Sequence, residues 1–410
     1  MNWIQLDFKA AKDEKNDLIL KSIIKEALTF LLNHIDTSKT KCILLTGSLA
    51  NAEGTVIRYN TYMITSDFDF VIYLDFLYYL RKKTYFQILS QEMSKRLNKR
   101  GFKTHVDFLP TTSALRLAVI HTKSNIYEYE FAHASKCVIG IVPSFNKAVR
   151  PSKRDALELI FTVISELIFL TQKKISKIEE SYIYAKRALT LLNSLLIFHG
   201  YFGETYEKRI QIVKSFKSLD MFPINEADIE TLELFTKYKL SSSFQSLLNS
   251  QGYNQIDDLL FFQKEFLEKL TKKILHYELV NIVNSSTKKN FRINGSPKNL
   301  NFELPILLEE YLKLSKARLY SIIMGLLLCL FWTITRNKKR QELFKTFIFH
   351  QQPPKTILNV IITLLYVYGD DVYLEKILKH YFPRIDFNNE IIMNQIFSLW
   401  QTVEQSIKLY

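Results

Sequence analysis

Three short segments decide how the first part of this 410-residue chain folds: LTGS at residues 45–48, SDFDFVI at 66–72 and VDF at 106–108. Each belongs to an apolar run of the kind that forms a buried strand. A glycine–serine pair ends the first run, and aspartates interrupt the other two. The sequence therefore predicts a sheet in which three carboxylates converge beside a tight turn.

Gly47 and Ser48 stand where the first apolar run stops. Because Gly47 has no Cβ, the backbone there can come close to a ligand. Ser48 could offer its hydroxyl and its backbone N–H to a phosphate. A short helical stretch over residues 49–51 is expected to begin at this turn, where free N–H groups favour anions. The pair is a candidate phosphate-binding turn.

Asp67 and Asp69 lie two residues apart in a run rich in aromatic and β-branched residues. Residues at this spacing in a strand point to the same side, so both carboxylates should face one site. Phe68, Phe70 and Ile72 should then face the opposite side and pack. The dyad is a candidate pair of metal ligands.

Asp107 interrupts a second strand-like run at 102–109, and a neighbouring strand would place it beside the dyad. Carboxylate oxygens suit Mg²⁺ (or Mn²⁺) that also binds substrate phosphates, and two such ions can clamp an in-line displacement. As the third carboxylate, Asp107 is the candidate to help deprotonate an attacking hydroxyl. His105 is expected to point away from Asp107. An isolated Asp-x-Asp or Gly-Ser is usually a solvated turn, but this ordered combination beside apolar strands favours function.

Residues 46–55 (TGSLANAEGT), with SDFD at 66–69 and HVDF at 105–108, resemble the nucleotidyltransferase superfamily, whose relatives include DNA polymerase β. The resemblance covers about the first third of the chain and implies a small mixed sheet flanked by helices. It implies Mg²⁺-dependent transfer of a nucleoside monophosphate from an NTP to an acceptor hydroxyl, with release of pyrophosphate. The spacing between the first two motifs is longer than in compact members, so a loop insertion is expected at 56–65.

The resemblance also assigns roles to individual residues. It implies catalytic and metal-ligating roles for Asp67, Asp69 and Asp107, and nucleotide contacts at Gly47 and Ser48.

The remaining apolar periodicity predicts further strands at 127–131 and 136–141, and then helices to the end of the chain. An amphipathic helix is expected at 13–34, with Leu18 in its apolar stripe, and another at 76–100. The later helices are expected at 153–172, 177–199, 227–240, 257–284, 302–335, 356–368, 373–381 and 389–408.

The predicted fold class is an α/β catalytic domain, a small mixed sheet flanked by helices, followed by an all-α helical region. We expect the nucleotidyltransferase catalytic domain at 1–150, a helical substrate-binding domain at 151–293 and a C-terminal helical domain at 298–410. The loop NGSP at 294–297 marks the last boundary.

The expected helix at 177–199 carries a weaker signal. Tyr182, Lys186 and Asn193 recur at helical spacing and share a face. Together with the TYEKR segment at 205–209, this helix resembles the helical domain of some uncharacterised bacterial and archaeal nucleotidyltransferases. The resemblance implies that Lys186 binds the triphosphate. The alternative is an exposed helical lysine.

Composition adds three limits. A net charge of +14 favours a polyanionic partner, either nucleotide phosphates or nucleic acid. Three scattered cysteines without metal spacing, and a start without the pattern of a signal peptide, predict a cytoplasmic protein. The apolar segment 319–335 is short for a membrane span, so a core helix is favoured and membrane contact stays open.

The acceptor is left open by the sequence: RNA or tRNA and a nucleotide all fit the motifs. Two alternatives within the superfamily are a second-messenger oligonucleotide synthase and a tRNA-modifying toxin. A third is a non-catalytic, antitoxin-like binding module. No triad of serine, histidine and aspartate for covalent hydrolysis is evident.

Overall fold

The computed structural model describes most of the first 286 residues. The described residues are 6–59, 61–112, 125–141, 145, 149–170, 175–216, 222–241, 255–286, 306–308, 310–311 and 362–363. The chain divides into two compact units, one comprising Met1–Asp155 and Ile175–Lys269, the other Ala156–Lys174 and Leu270–Tyr410. The helices expected at 373–381 and 389–408 lie outside the described residues, as do nearly all of those expected at 302–335 and 356–368.

The described residues form a mixed α/β structure in which helix predominates. The strands are β1 (Thr40–Leu45), β2 (Val56–Tyr59), β3 (Thr61–Ile64), β4 (Phe68–Leu74), β5 (Phe102–Lys103), β6 (Val106–Thr111) and β7 (Lys136–Gly140). The helices are α1 (Glu14–Leu32), α2 (Gly47–Ala50), α3 (Phe76–Lys99), α4 (Asn125–Ala134), α5 (Lys153–Leu170), α6 (Lys177–Phe198), α7 (Tyr206–Lys214), α8 (Glu226–Ser241) and α9 (Ile256–Ser286). This confirms the coarse layout of a small mixed α/β part followed by helices.

The main sheet has the strand order β6-β4-β1-β7. β1 runs antiparallel to β4 and to β7, whereas β4 and β6 are parallel. A parallel pair needs a crossover connection, which α3 supplies while packing against β6. The sheet is therefore mixed, and its one parallel junction joins the two strands that carry the aspartates.

Strand β4 confirms the predicted burial pattern. Phe68, Phe70 and Ile72 are fully buried in a cluster with residues of α1 and α3. The opposite face is also covered, because Val71 and Tyr73 pack in a second buried cluster with residues of β1. Both faces of the sheet thus hold β4 in place.

In α1, the stripe that faces the core differs by one residue from the expected one. Leu18 is 66% exposed, so its inclusion was wrong, and Leu20 is buried instead. Leu20, Ile24 and Leu28 follow the four-residue spacing of one helix face, from which Leu18 is displaced. The helix begins after Asp13, whose side chain accepts a hydrogen bond from the Asn16 N–H at 2.8 Å.

The expected loop insertion at 56–65 was wrong, because this segment forms a hairpin. β2 and β3 pair antiparallel, and β3 also pairs with β5 in parallel orientation. The three strands form a second sheet. Val56, Ile57 and Ile64 are buried, so the hairpin contributes to the core.

The strand expected at 127–131 was also wrong, because these residues lie in α4. Alternation of tyrosine and glutamate resembles a half-buried strand. The helix instead buries Ile126 and Ala134, two turns apart, and packs against α2. Tertiary packing overrides the local pattern here.

The helices from residue 153 to 286 were predicted to within two residues at each end, except for α7, which was not expected. Ser152 caps the start of α5: the Asp155 N–H donates to Ser152 Oγ at 3.3 Å. Gly200, with φ of 80°, follows the end of α6. In the described part of the chain, no helix is long and apolar enough to cross a membrane. The segment 319–335 lies outside that part.

Gly54 is a position where packing alone should exclude a side chain. A Cβ there would lie 2.5 Å from the Ala10 carbonyl oxygen and 2.5 Å from Leu20 Cδ1. We expect Gly54→Ala to lower the free energy of unfolding by about 3 kcal/mol in urea denaturation. Gly101→Ala is the control: Gly101 has open space but a φ of 85°, so its cost should be about 1 kcal/mol. Equal losses would contradict the packing described.

Candidate functional site

The turn after β1 lies directly against Asp69. The Thr46 N–H donates to the Asp69 carbonyl oxygen at 3.0 Å. Gly47 has a φ of 70°, and a Cβ on it would stand 3.5 Å from Asp69 Oδ2. Positive φ favours glycine. The predicted neighbourhood of the turn and the dyad is therefore present.

Ser48 lies in the first turn of α2, which begins at Gly47. Its carbonyl oxygen accepts hydrogen bonds from the Asn51 N–H at 3.2 Å and the Glu53 N–H at 2.9 Å. These bonds fold the chain back after four helical residues. The conformation of the Gly47–Ser48 turn thus depends on where Glu53 is held.

Asp69 and Asp107 are direct register partners in the parallel pair β4–β6. Neighbouring strands lie about 4.8 Å apart and partners share a face, so the two carboxylates stand side by side. Both residues are partly buried. Asp67 precedes β4 on the same side, and its side chain is 53% exposed. The structure brings the three predicted carboxylates to one end of the sheet.

Lys186 reaches this group from α6. Its Nζ lies 3.8 Å from Asp67 Oδ2, and its side chain is 26% exposed. On the same helix, Tyr182 and Asn193 are buried. Lys186 is therefore a partly buried cation beside the carboxylates.

His105 corrects one expectation. Its Nε2 lies 3.1 Å from Asp107 Oδ1, so it does not point away from Asp107. The physical reason is the strand period: residues two apart project to the same side. The hydrogen bond with Asp107 raises the pKa of His105, and the charges of Asp67 and Asp69 add to that effect. His105 is therefore a fifth titratable group of the site, beside the three aspartates and Lys186.

A buried lysine under the site was missed by the sequence reasoning. Lys239 on α8 is 1% exposed. Its Nζ donates to the Glu53 carbonyl oxygen and to Thr55 Oγ1, both at 3.2 Å. The rings of Tyr182 and Tyr206 lie 5.1 and 5.7 Å from it, within cation–π range.

The signal for Lys239 was available in the spacing of α8. Leu232 and Phe235 are fully buried, and Lys239 follows at the next helical step of the same stripe. A lysine that continues an apolar stripe should be examined as a buried charge, because it needs a partner there.

Burial changes the acidity of this layer. It lowers the pKa of Lys239 to about 8 and raises the pKa of Tyr182 to about 12. Burial also raises the pKa of Glu53, against the charge of Arg209. Glu53 Oε1 accepts the Tyr206 N–H at 2.5 Å.

The carboxylates fit a divalent cation in kind and in strand placement, but they are not gathered around one point. In the part of the chain that the structure describes, no group of three or more His, Cys, Asp or Glu side chains is arranged to hold a metal ion. Asp67 is engaged by Lys186 and Asp107 by His105. Three-carboxylate binding would require Asp67 to turn away from Lys186.

Comparisons with protein-family models, curated proteins and solved structures found no match. The relationship to the nucleotidyltransferases therefore stays a prediction from the residues described above.

The pKa of Lys239 predicts a pH-dependent stability. Below pH 8 this lysine is charged in both states, so the folded protein bears the full cost of its burial. Between pH 8 and the ordinary lysine value of 10.5, the folded protein loses the proton while the unfolded chain keeps it, so stability rises with pH. The titratable groups that face the Lys239 ammonium ion are Tyr182, Tyr206, Glu53, Lys186 and Asp67.

We expect the unfolding free energy of the wild type, minus that of Lys239→Met, to rise by about 2–3 kcal/mol from pH 8 to pH 10 in urea denaturation. A difference that stays constant or falls would show that Lys239 is not a buried ammonium ion.

Proposed function

We propose that this protein is a metal-dependent nucleotidyltransferase that moves a nucleoside monophosphate from an NTP to an acceptor hydroxyl. The observation that supports this most is the register of Asp69 with Asp107 beside the Gly47 turn. It gives one end of the main sheet a carboxylate pair, a glycine turn and, through Lys186, a cation. In this proposal, the main sheet with α1 and α3 is a nucleotidyltransferase fold.

The phosphate end of the NTP would lie at the turn. Gly47 and Ser48 offer backbone N–H groups and the Ser48 hydroxyl to the β- and γ-phosphates. Lys186 would exchange its ion pair with Asp67 for a contact with the triphosphate, because the triphosphate carries several negative charges and the carboxylate only one. Positioning and charge neutralisation would supply most of the rate enhancement.

Asp67, Asp69 and Asp107 would hold Mg²⁺ or Mn²⁺. When bound, the cation would neutralise charge on the phosphates and favour ionisation of the acceptor hydroxyl. The acceptor oxygen attacks the α-phosphorus, the bond to the bridging oxygen breaks, and pyrophosphate leaves. Asp107 accepts the proton of the hydroxyl, and His105, bonded to Asp107, orients that carboxylate.

The rest of the chain would supply the acceptor side. The helical regions at 151–293 and 298–410 remain the predicted substrate-binding and C-terminal domains, and the predicted location is cytoplasmic. RNA, tRNA and a nucleotide are the acceptor classes to be compared.

The catalytic part of the proposal predicts loss of activity in Asp69→Asn and Asp107→Asn. Each removes one negative charge at the register pair and should lower nucleotide transfer about 100-fold or more. Pyrophosphate release and label incorporation would be measured with each of four α-labelled NTPs and Mg²⁺ or Mn²⁺, with and without total RNA.

Asp75→Asn is the matched control. Asp75 follows the far end of β4 and pairs with Lys41 at 3.6 Å, so its loss should leave transfer unchanged. Oligonucleotides formed from NTPs alone would indicate a messenger synthase, and labelled RNA would indicate an RNA-modifying enzyme. Equal label transfer by Asp69→Asn and the wild type would contradict the assignment. Biological activity retained by both Asp variants would favour the binding module.

Lys186 should act on nucleotide affinity. We expect Lys186→Met to raise KM for the NTP about tenfold while kcat changes less than about threefold, since it removes a contact to the bound triphosphate. Lys177→Met is the control on the same helix: Lys177 pairs with Asp257, and its side chain is exposed. An unchanged KM in Lys186→Met would exclude the proposed contact.

A further inference from the structure

We propose that Lys239 is a positioning residue whose buried ammonium ion fixes the segment Glu53–Thr55, and through it the Gly47–Ser48 turn. Its effect on nucleotide binding rests on the function proposed above. Its effect on the turn follows from contacts alone and can be measured without substrate.

Lys239 contacts this segment directly. Its Nζ donates to the Glu53 carbonyl oxygen and to Thr55 Oγ1, each at 3.2 Å. Thr55 Oγ1 in turn lies 2.6 Å from the Lys239 carbonyl oxygen and donates to it. Both the side chain and the backbone of Lys239 are thus hydrogen-bonded to the segment.

The segment Glu53–Thr55 is hydrogen-bonded to both halves of the candidate site. The Glu53 N–H donates to the Ser48 carbonyl oxygen at 2.9 Å, which closes the turn. On the other side, the Thr55 N–H donates to Ser66 Oγ at 3.3 Å, immediately before Asp67. The Lys239 ammonium ion therefore supports the backbone segment Glu53–Thr55, which lies between the Gly47–Ser48 turn and the dyad.

A lysine is an unusual residue for a buried position. A buried ammonium ion is costly unless it is well bonded, and an apolar side chain would usually pack there at lower cost. The rings of Tyr182 and Tyr206 and the two oxygen acceptors compensate the charge. Because Nζ is buried, Lys239 does not contact substrate, and its charge is used on the backbone of residues 53–55.

Hydrogen exchange of the turn tests the inference directly. In Lys239→Met, we expect amide exchange in peptides covering residues 47–55 to rise about tenfold or more at neutral pH, with α3 unchanged. Lys239→Arg keeps the charge and should recover part of the protection. Lys237→Met, on the same helix with a side chain 71% exposed, should match the wild type.

Thr55→Val provides a second variant in case Lys239→Met does not fold. It removes one of the two oxygen acceptors and should raise exchange in the same peptides to a smaller extent. Unchanged exchange at 47–55 in either variant would overturn the inference. An equal rise at 47–55 and in α3 would also overturn it, because that result means general destabilisation.

The nucleotide arm separates this inference from the proposed function. Lys239→Met should raise KM for the NTP about tenfold, with kcat within about threefold, and Lys239→Arg should restore part of the affinity. A fall in kcat at constant KM would overturn the link between the turn and nucleotide binding. If the wild type transfers no nucleotide, the proposed function fails, and hydrogen exchange alone decides the role of Lys239.

Discussion

The parallel pairing of β4 with β6 is the constraint on which the site depends. Side chains alternate along a strand, so a slip of one residue would turn Asp107 to the other face and bury it in the core. Both strands contribute to fixing the register, because Phe68 and Phe70 on β4 pack in one cluster with Phe108 on β6. Because the two strands are parallel, α3 must carry the chain back along the sheet, and its packing against β6 maintains the alignment.

Much of the fold follows from local apolar patterns, and the errors have physical causes. β1, β4 and β7 were predictable because short apolar runs end at polar or glycine residues, and α3 because its apolar residues recur at helical spacing. The hairpin at 56–64 was taken for a loop because its two strands have only four residues each, and short strands acquire stability from pairing. In α4, alternating tyrosine and glutamate indicated a strand, whereas packing on α2 selected a helix.

The candidate site was predictable where its residues stand in recognisable motifs. The contacts of Lys239 were not predictable, because they join distant parts of the chain. Gly47, Asp69 and Asp107 stand in motifs, and the structure places them together. The placement of His105 was wrong because it was assigned to the side opposite Asp107. Residues two apart in an extended segment project to the same side. Lys239 is 186 residues from Glu53 in sequence, so no local pattern connects the two. A contact of that separation can be recognised only in the folded chain.

The discontinuous make-up of the first compact unit has a consequence for how the chain is made. Residues 1–155 share that unit with 175–269, and the ammonium ion beneath the turn comes from the later stretch. A fragment that stops at residue 150 would leave the Glu53 carbonyl and the Thr55 hydroxyl without Lys239. Bringing such distant residues together is slow, because the chain loses loop entropy first. On the ribosome, the Gly47–Ser48 turn is synthesised early, but Lys239 can support it only after residue 239 has emerged.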